Sequence, residues 1–440
     1  MYFKRNNIDM LHGPLIGKIL LFTLPIALSS MLQQLFNAAD TAVLGFFGNA
    51  NALAAAGCNT ELIALIVSLS AGLSVGVNLL IAKKIGENKK EDIPEAIQNA
   101  LLLAGFMGIL GCIMGQLICK ALLILLQTPA AILDDAVLYL RIYLLAYPFL
   151  LLYDFAAAIL RAQGNSRSPF LALSLSGIVN VGLNLLFAAI FHMGIAGVAL
   201  ATAISTALSA LSLLYHLSGE GMLCLYPLRL SRSACKEILN TGIPAALQGA
   251  VFCFANIFIQ AAVNSVGETA IAGSTIAMNF EYFTYYIITS FGQAATCFTG
   301  QNNAAGQKSR CRQILFLSLG LSALCSSLPI LTIVFFRGFF SSLFTADAAV
   351  MESASVRILC ILLFEPLCNL YEIPAAYLRG KGHSIFPAVA TMVGTCLLRV
   401  LWIFTIFQKN PSLPMLYHVF PISWIVTIIL VNAAFVLAFL

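Results

Sequence analysis

The stretch PIALSSMLQQLFNAAD, from Pro25 to Asp40, decides the fold because it places a carboxylate inside a long apolar run. The surrounding segment, about residues 16–47, is long enough to cross a bilayer as a helix. Spacings of three and four residues would put Gln33, Asn37 and Asp40 on one helical face. A carboxylate at that depth costs about 2.5–3.5 kcal/mol and is tolerated where it faces protein or water. It is therefore either a functional group or a structural hydrogen-bonding group between packed helices.

The composition excludes a soluble globular protein. Of the 440 residues, 60% are hydrophobic and 9% are charged, whereas soluble domains carry about 25% charged residues. The twelve cysteines are scattered without a CxxC pair, which is typical of small buried side chains and not of a metal site. The net charge of +5 does not indicate nucleic-acid binding, because the basic residues fall in short loops.

Apolar segments predict an all-α integral membrane protein with twelve transmembrane helices. Segments 1 to 12 are 16–46, 53–82, 96–119, 136–160, 169–191, 195–217, 234–263, 269–299, 312–336, 350–378, 386–407 and 415–440. The N-terminal stretch and the loops after the even-numbered segments up to segment 10 hold 17 of the 23 lysines and arginines. Because positive loops stay inside, this alternation predicts a multi-pass protein of the cytoplasmic membrane with both termini cytoplasmic.

The sequence also repeats itself. Segment 4 and its flanks read YPFLLLYDFAAAILRAQGNSRSP, and segment 10 reads FEPLCNLYEIPAAYLRGKGHSIFP. At a constant offset of 218 residues, Asp154 aligns with Glu372 and Arg161 aligns with Arg379. Six helices in each repeat predict two pseudo-symmetric six-helix bundles of the same orientation around a central cavity.

The predicted domains follow this repeat, with an N-terminal bundle over 1–217, a cytoplasmic linker over 218–233 and a C-terminal bundle over 234–440. Prolines occupy matching places in the first helix of each bundle, Pro25 in segment 1 and Pro244 in segment 7. Each proline removes an intrahelical hydrogen bond and can kink its helix. We interpret both as candidate hinges, and a static bend is the alternative.

Polar side chains in segments 5 and 6 could join Asp40 in an oxygen-lined pocket of the first bundle. These residues are Ser176, Asn180, Asn184, Thr202 and Ser205. In the second bundle, segments 7 and 8 carry amide and aromatic side chains that suit amphipathic organic cations through apolar contact and cation–π attraction. The candidate substrate contacts are Gln33, Asn37, Gln248, Asn256, Tyr282 and Tyr286. For any one of them, packing between helices explains the residue equally well.

Ionisable residues of the second bundle are further candidates. Glu281 and Glu372 lie within apolar segments, and Arg399 lies near the middle of segment 11. A charge at this depth needs a partner, and the sequence predicts Glu365 or Glu372 as the partner of Arg399. A structural ion pair is as consistent with the pattern as a functional one.

Enzyme signatures fail their structural tests. GLSVG, from Gly72 to Gly76, has the form of a nucleophile elbow but lies in an apolar helical run with no strand before it. Packing of the GxxxG type between helices explains these glycines better. The five histidines are unclustered and no phosphate-binding loop is present. We therefore expect a protein that is not an enzyme and has no cofactor or resident metal.

Several stretches together resemble the multidrug and toxic compound extrusion (MATE) family. They include LPIALSSMLQQLFNAADTAVLG, LRAQGNSRSP, TGIPAALQGAVFCFANIFIQAAVNSVG and GQNNAAGQKSR. The resemblance implies two six-helix bundles, a central cavity and export of organic cations in exchange for Na⁺ or H⁺. It also implies that Asp40 matches the family's helix 1 aspartate and that Asn180 and Thr202 match further members of its first-bundle cation site.

This sequence departs from the family pattern at three positions. Asn184 stands where many members have a second carboxylate, and Phe252 and Cys368 stand where a sodium-coupled branch has carboxylates. Hard cations such as Na⁺ favour charged oxygen ligands, so a single carboxylate among amides favours H⁺.

The resulting expectation is a monomeric secondary antiporter that exports amphipathic or cationic small organic compounds across the lipid bilayer by alternating access. The alternative is a flippase for lipid-linked intermediates, a kind of transporter that has a similar helical architecture. A diphosphate head group would require a cavity lined by cationic side chains. The arginines that could line it are few, chiefly Arg399, so the flippase ranks lower than the antiporter.

Overall fold

The computed structural model describes residues 7–47, 50–126, 128–219, 221–222 and 231–437. Within these ranges the chain is helical and contains no strand, which confirms the all-α prediction. The α-helices are α1 (Leu15–Phe47), α2 (Ala50–Gly86), α3 (Ile93–Leu125), α4 (Ala130–Leu145), α5 (Tyr147–Ala162), α6 (Arg167–Leu185), α7 (Gly194–Gly219), α8 (Arg232–Val266), α9 (Glu268–Ala304), α10 (Lys308–Phe335), α11 (Arg337–Ser342), α12 (Ala348–Cys360), α13 (Asn369–Gly380), α14 (Ile385–Thr391), α15 (Leu398–Thr405), α16 (Leu413–Tyr417) and α17 (Val419–Leu437). Most of the predicted linker, 218–233, lies outside the described residues.

Each of the twelve predicted segments corresponds to a helical stretch of the described chain. Nine stretches are long and apolar enough to cross a membrane, and the pair α4–α5, bent by 44°, makes a tenth. The other two are α9, which is rich in polar side chains, and α12–α13, which is interrupted by a 3-10 helical stretch at Leu362–Cys368. Pro366 lies inside that interruption, where its ring and missing N–H disfavour a continuous α-helix.

The described chain forms two compact units. Unit 1 comprises Met1–Asp9 and Leu24–Ala246, and unit 2 comprises Met10–Thr23 and Leu247–Leu440. Both α1 and α8 therefore contribute residues to both units. The change of unit falls beside Pro25 in α1 and near Pro244 in α8. Motion at these prolines stays a prediction.

Unit 1 has its largest core between α2, α3 and α5, built largely from small and branched apolar side chains such as Val77, Ala100 and Ala157. A Cβ on Gly72 or Gly76 would collide with the backbone of α8. The absence of side chains at these positions is what lets the two helices approach closely. The GLSVG motif is therefore a packing motif, as predicted.

Unit 2 packs α8, α9, α13 and α17 around buried residues that include Tyr371, Ala375, Tyr417 and Val431. π-helical turns interrupt two helices that the repeat relates to each other. One follows α6 and the other, Met392–Leu397, separates α14 from α15. Such turns rotate the side chains that follow them and are frequent at functional sites.

Candidate functional site

The carboxylate of Asp40 lies in a cluster of neutral polar side chains inside unit 1. Asn184 Nδ2 donates a hydrogen bond to Asp40 Oδ1 at 2.5 Å, and Thr202 Oγ1 donates to Asp40 Oδ2 at 3.1 Å. The three residues come from α1, α6 and α7, so three helices meet at one carboxylate. The structure thus brings together Asp40, Asn184 and Thr202, three of the polar groups that the sequence placed in one pocket.

Asn180 connects Asn184 and Thr202, the two hydrogen-bond partners of the carboxylate. Its Oδ1 accepts a hydrogen bond from Asn184 Nδ2 at 3.1 Å, and its Nδ2 donates to Thr202 Oγ1 at 3.4 Å. Asn180 and Asn184 are one helical turn apart and both are buried. Ser176 and Ser205 donate to carbonyl groups of their own helices instead. The network therefore comprises Asp40, Asn180, Asn184 and Thr202.

Gly177 brings α1 against α6 beside this network. A Cβ at Gly177 would overlap the ring of Phe36, so the ring packs directly on the glycine backbone. Phe36 precedes Asp40 by one turn of α1, and Gly177 precedes Asn180 by about one turn of α6. This close approach sets the distance between the carboxylate and its amide partners.

No basic side chain forms an ion pair with Asp40 among the described residues. Its hydrogen-bond partners are neutral, and the titratable groups on which its charge acts include the phenols of Tyr139 and Tyr143. Asn184 Oδ1 is buried and has no hydrogen-bond partner in the described part of the chain. Because a partly buried charge without a counter-ion is costly, binding of a proton or a monovalent cation here would stabilise the site.

The predicted substrate contacts divide between the two units. Gln33 and Asn37 are exposed on α1 of unit 1, whereas Gln248 and Asn256 are half-buried on the part of α8 that belongs to unit 2. In α9 of unit 2, Tyr282 and Tyr286 stack with ring centroids 6.3 Å apart. The role of these six residues as substrate contacts stays a prediction, as does the central cavity.

Glu281 of unit 2 is held in a buried ion pair that the sequence did not identify. Arg357 Nε and Nη2 donate to the two carboxylate oxygens of Glu281 at 2.7 and 2.8 Å. Arg357 Nη1 also donates to Ser274 Oγ at 2.7 Å, and its guanidinium lies over the rings of Tyr417 and Phe420. These contacts join α9 to α12, and a functional role for Glu281 stays a prediction.

The predicted partners of Arg399 are wrong. Glu365 accepts a hydrogen bond from Thr284 Oγ1 at 2.7 Å, and Glu372 accepts one from Arg379 Nη1 at 3.4 Å. Arg399 instead donates through Nε to Ser423 Oγ at 3.2 Å and lies 4.1 Å from the ring centroid of Phe420. The 3-10 stretch that contains Glu365 and the π-helical turn before Arg399 rotate both residues away from the register of a continuous α-helix.

Sequence reasoning missed two residues of unit 1 and one pairing of unit 2. The aromatic residues at Tyr139 and Phe36 resemble ordinary apolar core residues in the sequence. Their position beside Asp40 could have been found only from the packing of α1 against α4 and α6. The spacing of Glu281 and Arg357, 76 residues apart on different helices, likewise carries no local signal.

A family model described as MatE matches this chain twice, over residues 25–186 and over residues 244–405. The double match confirms the internal repeat. Among relatives, the chain is 25% identical over 387 residues to the probable multidrug resistance protein YoeA of Bacillus subtilis, covering 84% of this chain and 82% of the relative. It is 28% identical over 394 residues to a FAD transporter of Shewanella oneidensis, covering 83% and 86%.

The fold is similar to that of solved transporters of the same kind. A structure described as the outward-facing conformation of a multidrug resistance MATE family transporter has a TM-score of 0.90 at 21% sequence identity, covering 99% of this chain and 98% of that chain. The relatives are transporters, in agreement with the prediction that the chain is not an enzyme. Since the family model covers most of its length, this chain belongs to the MatE family of multidrug and toxic compound extrusion transporters.

Proposed function

We propose that this protein is a secondary antiporter that exports small organic compounds across the cytoplasmic membrane by alternating access, driven by a cation that binds at Asp40. The observation that carries the proposal is the half-buried carboxylate of Asp40, which has two neutral hydrogen-bond partners from two other helices, with Asn180 bonded to both of them. A proton or cation neutralises this carboxylate, and its release restores the charge. Both steps change the hydrogen bonds that join α1 to α6 and α7.

The coupling ion in this proposal is H⁺ in preference to Na⁺. The site holds one carboxylate, and Asn184 stands at the position where the resemblance implies a second one in many members. Na⁺ binds well where several charged oxygens surround it, whereas one carboxylate beside an amide oxygen suffices to hold a proton. A proton moving through 100 mV releases about 2.3 kcal/mol, equivalent to a concentration ratio of roughly 50 for a neutral substrate.

The orientation in this proposal has both termini in the cytoplasm, following the basic loops. The acting unit in this proposal is the monomer. Relatives named as multidrug resistance proteins support an organic compound as substrate, and the relative named as a FAD transporter extends the size range. A flippase for lipid-linked intermediates has no support from these names.

The test uses the purified full-length chain in proteoliposomes loaded with a fluorescent organic cation such as ethidium. Efflux is measured with an imposed pH gradient, and separately with a Na⁺ gradient at fixed pH. We expect efflux to follow the pH gradient and to be lost in Asp40→Asn. The control is Asp134→Asn, because Asp134 is an exposed acid on α4 outside the network. Full coupled efflux by Asp40→Asn would refute the role of Asp40, and efflux that follows Na⁺ alone would refute H⁺ coupling.

A further inference from the structure

Arg399 is a buried cation without an acidic partner in the described part of the chain. Its side chain is 1% exposed and is among the largest fully buried side chains. Its Nε donates to Ser423 Oγ at 3.2 Å, while Nη1 and Nη2 have no hydrogen-bond partner among the described residues. The acids of unit 2 described above are engaged elsewhere, with Arg357, Thr284 or Arg379.

Arg399 keeps its charge through the basicity of its guanidinium, and its surroundings do not neutralise it. An arginine cannot release its proton under ordinary conditions. The rings of Phe420 and Phe252 lie 4.1 and 5.7 Å from the guanidinium carbon, and cation–π attraction offsets only part of the cost of burying a charge. Nearby titratable groups are neutral phenols and thiols. They include Tyr285 on α9, Cys368 in the 3-10 stretch, Tyr371 on α13 and Cys396 in the π-helical turn.

The internal repeat relates this location to the Asp40 network. In unit 1 the network is built from the first, fifth and sixth segments of the repeat. In unit 2 the corresponding segments supply Phe252 on α8, Arg399 on α15 and Ser423 on α17. Asn180 follows Pro169 by eleven residues, and Arg399 follows Pro387 by twelve, so both lie at a similar depth. Arg399 therefore stands at about the place that Asn180 holds in the first repeat, so a guanidinium replaces one of the neutral neighbours of the Asp40 carboxylate.

We propose that Arg399 is a binding site for the carboxylate or phosphate of an organic substrate, with Phe420 and Phe252 contacting an aromatic part of the same molecule. Guanidinium groups bind such anions through paired N–H donors, and Nη1 and Nη2 supply a pair of this kind. This inference rests on the proposed transport function and extends its substrates from cationic to zwitterionic and anionic compounds. Cation exchange remains at Asp40 and anion recognition takes place at Arg399.

The test measures equilibrium binding to the purified full-length chain by fluorescence anisotropy. The probes are tetramethylrhodamine, which carries a carboxylate, and its methyl ester, which does not. We expect the wild-type chain to bind the acid at least tenfold more tightly than the ester. Arg399→Gln should bring the ratio close to one by weakening the acid alone, and Arg399→Lys should keep part of the preference. Arg337→Gln, on α11, is the control that leaves the ratio unchanged.

Unchanged affinity for the ester shows that the Arg399→Gln chain is folded, and the wild-type ratio tests the proposal without any variant. A wild-type ratio near one, or a ratio that Arg399→Gln does not change, would overturn it. Displacement of the acid by chloride or inorganic phosphate at concentrations comparable to the probe would assign the site to an inorganic ion and also overturn it. Asp40→Asn should abolish coupled efflux but keep the binding ratio, so the two proposals can fail separately.

Discussion

Asn184 donates a 2.5 Å hydrogen bond to Asp40 although 144 residues separate the two along the chain. The amide stands where the family resemblance implies a carboxylate in many members, so it fixes the charge of the site at one negative group. The identity of this single residue should therefore determine which cation the site accepts.

We predict that Asn184→Asp makes efflux responsive to Na⁺. The substitution gives the pocket a second carboxylate, and hard cations bind more tightly as the number of charged oxygen ligands rises. The measurement is ethidium efflux from proteoliposomes at fixed pH with and without Na⁺. The control is the wild-type chain, in which Asp40 is the carboxylate of this network. Absence of any Na⁺ response in Asn184→Asp would contradict the prediction.

Replacement of Gly177 should disrupt the site without touching a polar group. A methyl group in Gly177→Ala would overlap the ring of Phe36 and push α1 away from α6. Overpacking of this kind costs about 1–3 kcal/mol, and it would lengthen the contact between Asp40 and Asn184. We expect efflux to fall at least tenfold. Gly182→Ala, on the same helix but with open space around it, should be nearly silent, and equal effects of the two would refute this role.

Thr202 should act through its hydroxyl group. Its Oγ1 lies 3.1 Å from both Asp40 Oδ2 and Val198 O, and its single proton is shared between these two acceptors. Thr202→Val keeps the shape but leaves Asp40 Oδ2 without this donor, whereas Thr202→Ser keeps the donor. We expect Thr202→Val to shift the pH at which efflux is half-maximal and Thr202→Ser to resemble the wild type. Identical pH profiles for both variants would show that the hydroxyl is not part of cation exchange.

The ion pair between Arg357 and Glu281 should dominate the stability of unit 2. Removal of one partner leaves a buried charge, at a cost of about 3–5 kcal/mol, so Arg357→Gln and Glu281→Gln should each lower the apparent Tm. The double variant should recover a large part of the loss. As a comparison, the pair between Lys83 and Glu237 is solvent-exposed and should contribute at most about 1 kcal/mol. Additive effects of Arg357→Gln and Glu281→Gln would contradict coupling between the two charges.

The Asp40 network could be predicted because each of its signals is local. Apolar length fixed the helices, and spacings of four residues placed Asn180 and Asn184 on one face of an uninterrupted helix. Asp40 and Thr202 each lie in apolar segments where a polar group needs a partner. A bilayer limits the hydrogen-bond partners that such polar groups can find. In the structure, Asp40 and Thr202 bond to each other and to these two amides.

The charged groups of unit 2 could not be paired from the sequence because the helices that carry them are irregular. Glu365 lies in a 3-10 stretch with a tighter turn, and Arg399 follows a π-helical turn with a wider one. Each irregularity changes the direction of every side chain after it. The partner of Glu281 lies on another helix, so only the packed structure reveals it as Arg357.

The division of α1 and α8 between the two units has a consequence for separated halves of the chain. A fragment that contains only residues 234–440 lacks Met10–Thr23, which belongs to unit 2, and a fragment of 1–217 lacks the part of α8 that belongs to unit 1. Neither half of the sequence therefore contains all the residues of one unit. Two co-expressed fragments would have to exchange these stretches to assemble, as the arms of a swapped dimer do.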